Sequence, residues 1–378
     1  MSCTRCGLCL ESCPTYTLWG AEPDSPRGRI ALIEDALAPG GRTTPEMAVH
    51  IDRCLGCMAC VSACSAEVPF AEMLTAGRAA IEREVERPAP ERLRRHAALA
   101  VLPRSGRIGS LGRRSAIPHY TAAQGASRGR VGLLLGCTQR ATDSKLHQTT
   151  LAVLAAEGYE VIAPRLPDCC GALELHSGDQ ARGLRRAQLT IDAFAAVGGV
   201  DHVITSAGTC GAALKDYGRL LGTPEAQAFS ALALDVHELL ARAPLRSRLG
   251  PLAIRIVYHD SCQLRHAQGV ARPPRELLER IPGLQLLELA AEAGACCGSP
   301  GLYRVMQPEA AAALGRRQAE ALLRTGAELA VSADHACTGQ LERHLRELGS
   351  PLAVHHPLEV LARSIEAGRR ADGPLPAH

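Results

Sequence analysis

Sixteen cysteines stand in the 378 residues, and their spacing suggests a chemistry. Cys3, Cys6, Cys9 and Cys13 form a C-x-x-C-x-x-C-x-x-x-C run closed by Pro14, and Cys54, Cys57, Cys60 and Cys64 repeat that spacing. Three thiolates at three-residue steps can wrap one face of a compact iron–sulfur cubane, while the fourth points away toward a second one. Two copies permit reciprocal ligation. Cys3, Cys6 and Cys9 with Cys64 would hold one 4Fe-4S cluster, and Cys54, Cys57 and Cys60 with Cys13 the other. Zinc takes four ligands, usually in pairs, so tight triplets serve it poorly. The second run has no proline directly after Cys64, Pro69 coming later, but it lacks no ligand.

The other eight thiols fall into two matching sets, Cys137, Cys169, Cys170 and Cys210, then Cys262, Cys296, Cys297 and Cys337. Each set could ligate a further four-iron cluster, act as redox thiols, or pack as small buried residues. Adjacent cysteines such as Cys169 and Cys170 rarely bridge to each other, because the geometry is strained. His259 beside Asp260, and the pair His355 and His356, are of metal-binding type. Scattered among 14 histidines, they read as packing or surface residues. No phosphate loop and no flavin or nicotinamide fingerprint stands at a strand–helix junction, so no catalytic residue is assigned.

Positioning these thiols requires a repeat. "RVGLLLGC" ends at Cys137 and "RIVYHDSC" at Cys262, "DCCGAL" matches "ACCGSP", and "HVITSAGTC" matches "LAVSADHAC". Cys210 follows Cys170, and Cys337 follows Cys297, at the same interval. "HELLA" and "LEVLA" close the two halves, so a duplicated domain is inferred. Within each half, short β-branched runs alternate with amphipathic helical stretches, which predicts Rossmann-like α/β units with a mostly parallel sheet. Cys137, Cys210, Cys262 and Cys337 follow the carboxyl ends of predicted strands, the edge where open α/β sheets place ligands. Between the first two runs, "SPRGRIALIEDALA" reads as an amphipathic helix, which favours a helical ferredoxin domain. The expected division is a helical ferredoxin domain over 1–86, a basic linker over 87–129, and repeats over 130–245 and 252–367.

Composition narrows the function. A net charge of +3 and 3% aromatic residues give little for nucleic acid to bind. No apolar run is long enough to span a bilayer, and the first residues lack the character of a signal peptide. A cytoplasmic location is expected, where thiols stay reduced and cysteines serve metals or redox work. From Arg92 to Arg130 there are arginines but no acidic residue, which reads as a solvated linker. The alternative is a docking surface for an acidic partner or the anionic inner face of the membrane.

These motifs in this order resemble the iron–sulfur subunit family of bacterial glycolate oxidase over essentially the whole chain. "CGLCLESCPTY", "PRGRIALI" and "DRCLGCMAC" are similar to its ferredoxin half, and "GCTQR", "CCGALELH", "SAGTCGAALKDYG", "CQLRHAQG" and "CCGSPGLY" to its paired CCG half. The resemblance implies an electron-transfer subunit working beside FAD-binding subunits that oxidise glycolate to glyoxylate, with the quinone pool or respiratory chain as acceptor. Related chains serve lactate oxidation or heterodisulfide reductase, in which a CCG cluster itself cleaves a disulfide. The noncubane-cluster members usually end each half in C-x-x-C. Here Ala213 and Gln340 occupy those places, leaving four thiols per half.

Overall fold

The computed structural model describes residues 3–101, 117–165, 169–290, 296–299 and 301–371. Its first part is wholly helical. Prolines begin Pro14–Trp19, Pro26–Leu37 and Pro45–Asp52, where a missing amide hydrogen leaves no bond unmade. Ser25 and Thr44 cap the latter two through side-chain oxygens that accept from Gly28 N and Met47 N. Ile30, Ile33, Met47, Ile51, Phe70, Leu74 and Ile81 form the core between these helices and Phe70–Glu84. At Gly77 an added Cβ would lie 2.9 Å from Ile33 Cγ1, so the glycine lets two helices approach closely.

The rest is two α/β units with one topology. In the first, β2 (Gly129–Leu133), β3 (Tyr159–Ile162), β4 (His202–Thr205) and β5 (Ala233–Asp235) lie in the order β3-β2-β4-β5. In the second, β6 (Arg255–His259), β7 (Gln285–Glu288), β8 (Leu329–Ser332) and β9 (Val354–His355) lie in the order β7-β6-β8-β9. All these pairs are parallel, and β1 (Tyr120–Thr121) adds an antiparallel edge beside β3. The repeat in sequence is therefore a repeat in topology. Leu133, Ile204 and Leu239 of the first unit share one buried core with Tyr258, Val331 and Leu361 of the second. A reciprocal cap closes each unit: Glu238 accepts from Asp235 N, and Glu359 from His356 N.

The basic stretch differs from a plain linker in its first part. Ala89–Val101 is a helix because Arg95 and Leu99, one turn apart, share its buried face. Arg95 Nη2 donates to Glu82 at 3.2 Å and to the Ser177 carbonyl at 2.8 Å, tying the helical domain to the first unit. Residues 102–116, also in this stretch, lie outside the described residues. No helix among those described is long and apolar enough to cross a membrane.

Candidate functional site

The two N-terminal runs fold alike around their middle cysteines. Arg5 and Gly7 flank Cys6 with φ of 56° and 86°, and Gly56 and Met58 flank Cys57 with 65° and 61°. Left-handed residues on both sides curl each run into a bowl. Arg5 and Met58 are not glycines, so each holds about 1–2 kcal/mol of backbone strain. In each run the backbone amide two residues on lies 3.4 Å from the first thiol, Arg5 N from Cys3 and Gly56 N from Cys54. Such donors orient the sulfur they reach.

Two cavities sit in these bowls. The first holds about 450 Å³, part of it open to solvent, lined by Cys3, Cys6, Cys9, Cys60 and Cys64 with Ile30, Val68 and Phe70. The second, of about 310 Å³ and likewise partly open to solvent, is lined by Cys13, Cys54, Cys57 and Cys60 with Leu55, Arg29 and Phe70. Each run thus lends its last cysteine to the cavity of the other, and Cys60 borders both. Four or five sulfur donors around a space larger than a single ion, backed by apolar walls, match the demands of a polynuclear cluster. Among the described residues, no three His, Cys, Asp or Glu converge closely enough for one metal ion. Burial drives the Cys57 and Cys60 thiols well above the usual thiol range; Cys262 adds to the effect at Cys57, and Cys54 and Cys13 at Cys60. A bound metal removes such protons outright.

A residue that the sequence reading passed over stands beside the second cavity. Arg29, 1% exposed, donates from Nη1 to Thr15 at 2.9 Å and to Cys13 Sγ at 3.8 Å, and from Nε to the His50 carbonyl at 2.8 Å. Its counter-charge is Asp24, fully buried, which also takes His50 at 3.0 Å and Arg53 at 2.9 Å. The signal was in the sequence: Arg29 lies four residues before Ile33, on the apolar stripe of its helix.

The eight later thiols are all buried. Cys170 and Cys210 lie 3.4 Å apart, Cys297 and Cys337 3.2 Å apart, and Cys262 and Cys296 3.5 Å apart. Cys169, accepting from Cys137 and Cys170, is drawn well below the usual thiol range, whereas those two are pushed up. In the second unit, Cys297 is lowered by hydrogen bonds from Cys296 and Cys337. In each set the thiols are linked in a chain from one cysteine to the next, unlike the bowls of the N-terminal domain, where the thiols surround a cavity. Their surroundings also differ. Buried Glu174, paired with Arg186 at 2.5 Å, faces Cys169, while His259 faces Cys297 and bonds Ser332 through Nδ1 at 3.2 Å. Asp260 is taken up by Arg265 and Arg275, and His356 packs on His237 with ring centroids 5.1 Å apart. His355 lies 3.8 Å from Glu359.

The two parts of the chain meet at thiols. Cys57 packs with Leu55, Cys262, Cys296 and Tyr303 in one cluster. Gln263 Nε2 donates to the Gly56 carbonyl at 2.8 Å, and Ser62 Oγ bonds His266 Nδ1 at 2.8 Å. The helical domain therefore sets its second bowl against the second cysteine set.

A helical domain with two cysteine bowls, joined to a duplicated cysteine-bearing α/β unit, defines an iron–sulfur protein. The 4Fe-4S dicluster domain family matches residues 1–68, and the cysteine-rich domain family matches residues 131–215 and 256–342. The chain is 33% identical to the glycolate oxidase iron-sulfur subunit of Escherichia coli (strain K12), covering 97% of this chain and 94% of that one. It is 31% identical to the probable glycolate oxidase iron-sulfur subunit of Bacillus subtilis (strain 168), covering 92% and 90%. The chain belongs to the glycolate oxidase iron–sulfur subunit family. More distantly, lactate utilization protein A of an Exiguobacterium is 25% identical over 62% of this chain and 98% of that one. Among solved structures, a hypothetical protein from Helicobacter pylori shares the fold with a TM-score of 0.54 at 9% identity; the match covers 85% of this chain and 64% of that one.

Proposed function

We propose that this chain is the electron-transfer subunit of a complex that oxidises glycolate, receiving electrons from an FAD-bearing partner and passing them toward quinone. The observation that carries this reading is the pair of bowls with exchanged cysteines. Cys3, Cys6, Cys9 and Cys64 would hold one 4Fe-4S cluster, and Cys13, Cys54, Cys57 and Cys60 the other. When bound, such clusters accept and release one electron at a time. The protein's own work is to supply thiolates, amide donors, the Arg29 cation and dry walls, which together set how readily each site takes an electron.

The test separates the two jobs. The isolated chain should not oxidise glycolate with an artificial dye, and activity should appear on co-expression with flavoprotein subunits. Turnover by the flavin-free chain alone would contradict the division of labour. Offering lactate beside glycolate to the same complex decides between the substrates named for its relatives.

The second cysteine set extends this reading, because Cys262 lies against Cys57. If Cys262, Cys296, Cys297 and Cys337 form a further redox centre, Cys297→Ala lowers iron content and slows acceptor reduction, while dye reduction at the flavin survives. The packing alternative predicts wild-type iron and a loss of about 1 kcal/mol or less, as for trimming a small buried group. Iron analysis of Cys297→Ala beside Cys170→Ala shows which unit carries the centre. Wild-type iron and acceptor rates in both variants would exclude it.

A further inference from the structure

A third cavity, of about 1030 Å³ including its open mouth, lies where the helical domain meets both α/β units. Its lining includes close sequence neighbours of thiols from three of the cysteine groups. Gly56 and Met58 flank Cys57, Gln263 directly follows Cys262, Ala172 lies two positions after Cys170, and Ala212 two after Cys210. The cavity is therefore bordered by segments that carry thiols of the second bowl and of both cysteine sets.

We propose that this cavity binds the ring of a quinone, and that electrons leave the chain there. The proposal rests on the electron-transfer reading above and adds to it the acceptor's binding place. A quinone is a flat apolar ring with a carbonyl oxygen on each of two edges. Met58, Val61, Leu74 and Leu175 supply one apolar wall, and Arg78, His176 and His266 bring donors; Lys215, Asp216 and Arg219 make the remaining side charged. Ligand sites at domain junctions commonly set apolar walls against polar groups that orient the ligand. Arg78 also donates from Nη2 to the Cys54 carbonyl at 2.7 Å, so one guanidinium spans the wall between bowl and cavity. Reduction is balanced without a further reagent: the quinone takes two electrons, delivered singly from the thiolate-held centres, and two protons from solvent at the mouth, giving the quinol.

Binding can be read without turnover. Heptyl-hydroxyquinoline N-oxide, a fluorescent analogue of the quinone ring, is titrated into the anaerobically purified full chain. Saturable quenching at one site per chain is expected, with decylubiquinone competing. Thr75→Trp and Ala267→Trp place bulk on two different walls, and each should weaken binding at least about tenfold with far-ultraviolet circular dichroism unchanged. If one variant misfolds, the other carries the test, and His176→Phe removes a donor with little change of bulk. No saturable binding, wild-type affinity in the folded variants, or displacement by inorganic phosphate but not by decylubiquinone would overturn the site. Iron content on the same samples reports separately on the electron-transfer reading. A chain that binds the analogue yet holds no iron would defeat that reading and leave the site standing.

Discussion

Cys57→Ser should abolish electron delivery to the proposed quinone acceptor and remove about half of the iron held by the N-terminal domain. Cys57 is the second thiol of its run, held by left-handed residues on both sides, and it packs on the cluster that holds Cys262 and Cys296. Removing it takes a proposed ligand from the second cavity and alters the packing toward the second cysteine set. The first cavity keeps all of its lining thiols, so its cluster should persist. Paramagnetic resonance of the reduced variant should show one signal in place of two interacting ones. Serine is nearly the same size as cysteine, so the fold is retained. An unchanged spectrum with unchanged iron would refute the ligand assignment.

Arg29→Met should destabilise the N-terminal domain by about 3–5 kcal/mol, the usual effect of stripping one partner from a buried ion pair. That is a large share of the roughly 5–15 kcal/mol by which a domain is stable. Asp24, fully buried, would keep Arg53 and His50 but lose the cation that also bonds Thr15 and approaches Cys13. Denaturant unfolding of the single variants and of Arg29→Met with Asp24→Asn measures the coupling. The double variant should recover part of the loss, because no buried carboxylate is then left short of the cation that Arg29 supplied. A redox titration adds a readout that packing alone would not move: removing a positive charge beside Cys13 should make the second cluster harder to reduce. A loss below about 1 kcal/mol would place the pair among ions of little consequence.

The thiol chemistry was legible because spacing alone encodes it. Local order in the halves was legible too, since β-branched runs before Cys137, Cys210, Cys262 and Cys337 become β2, β4, β6 and β8. Long-range placement was not. Nothing near Cys57 in the sequence says that Cys262 will lie against it, because that contact joins segments about two hundred residues apart, as does the Gly56–Gln263 hydrogen bond. The left-handed Arg5 and Met58 were hidden for another reason: side chains at those positions carry no preference for that backbone, which tertiary context imposes. Arg95 was read as part of a charged linker, although its spacing to Leu99 marks one helix face. Charge counting obscured the period.

The most direct test is the iron and acid-labile sulfide of the anaerobically purified chain, read together with its paramagnetic resonance on reduction. Two clusters in the N-terminal bowls require no fewer than about eight irons and eight sulfides per chain, with interacting signals from neighbouring centres. A stoichiometric content of zinc with no sulfide, or iron for a single cluster that Cys57→Ser leaves unchanged, would contradict the account.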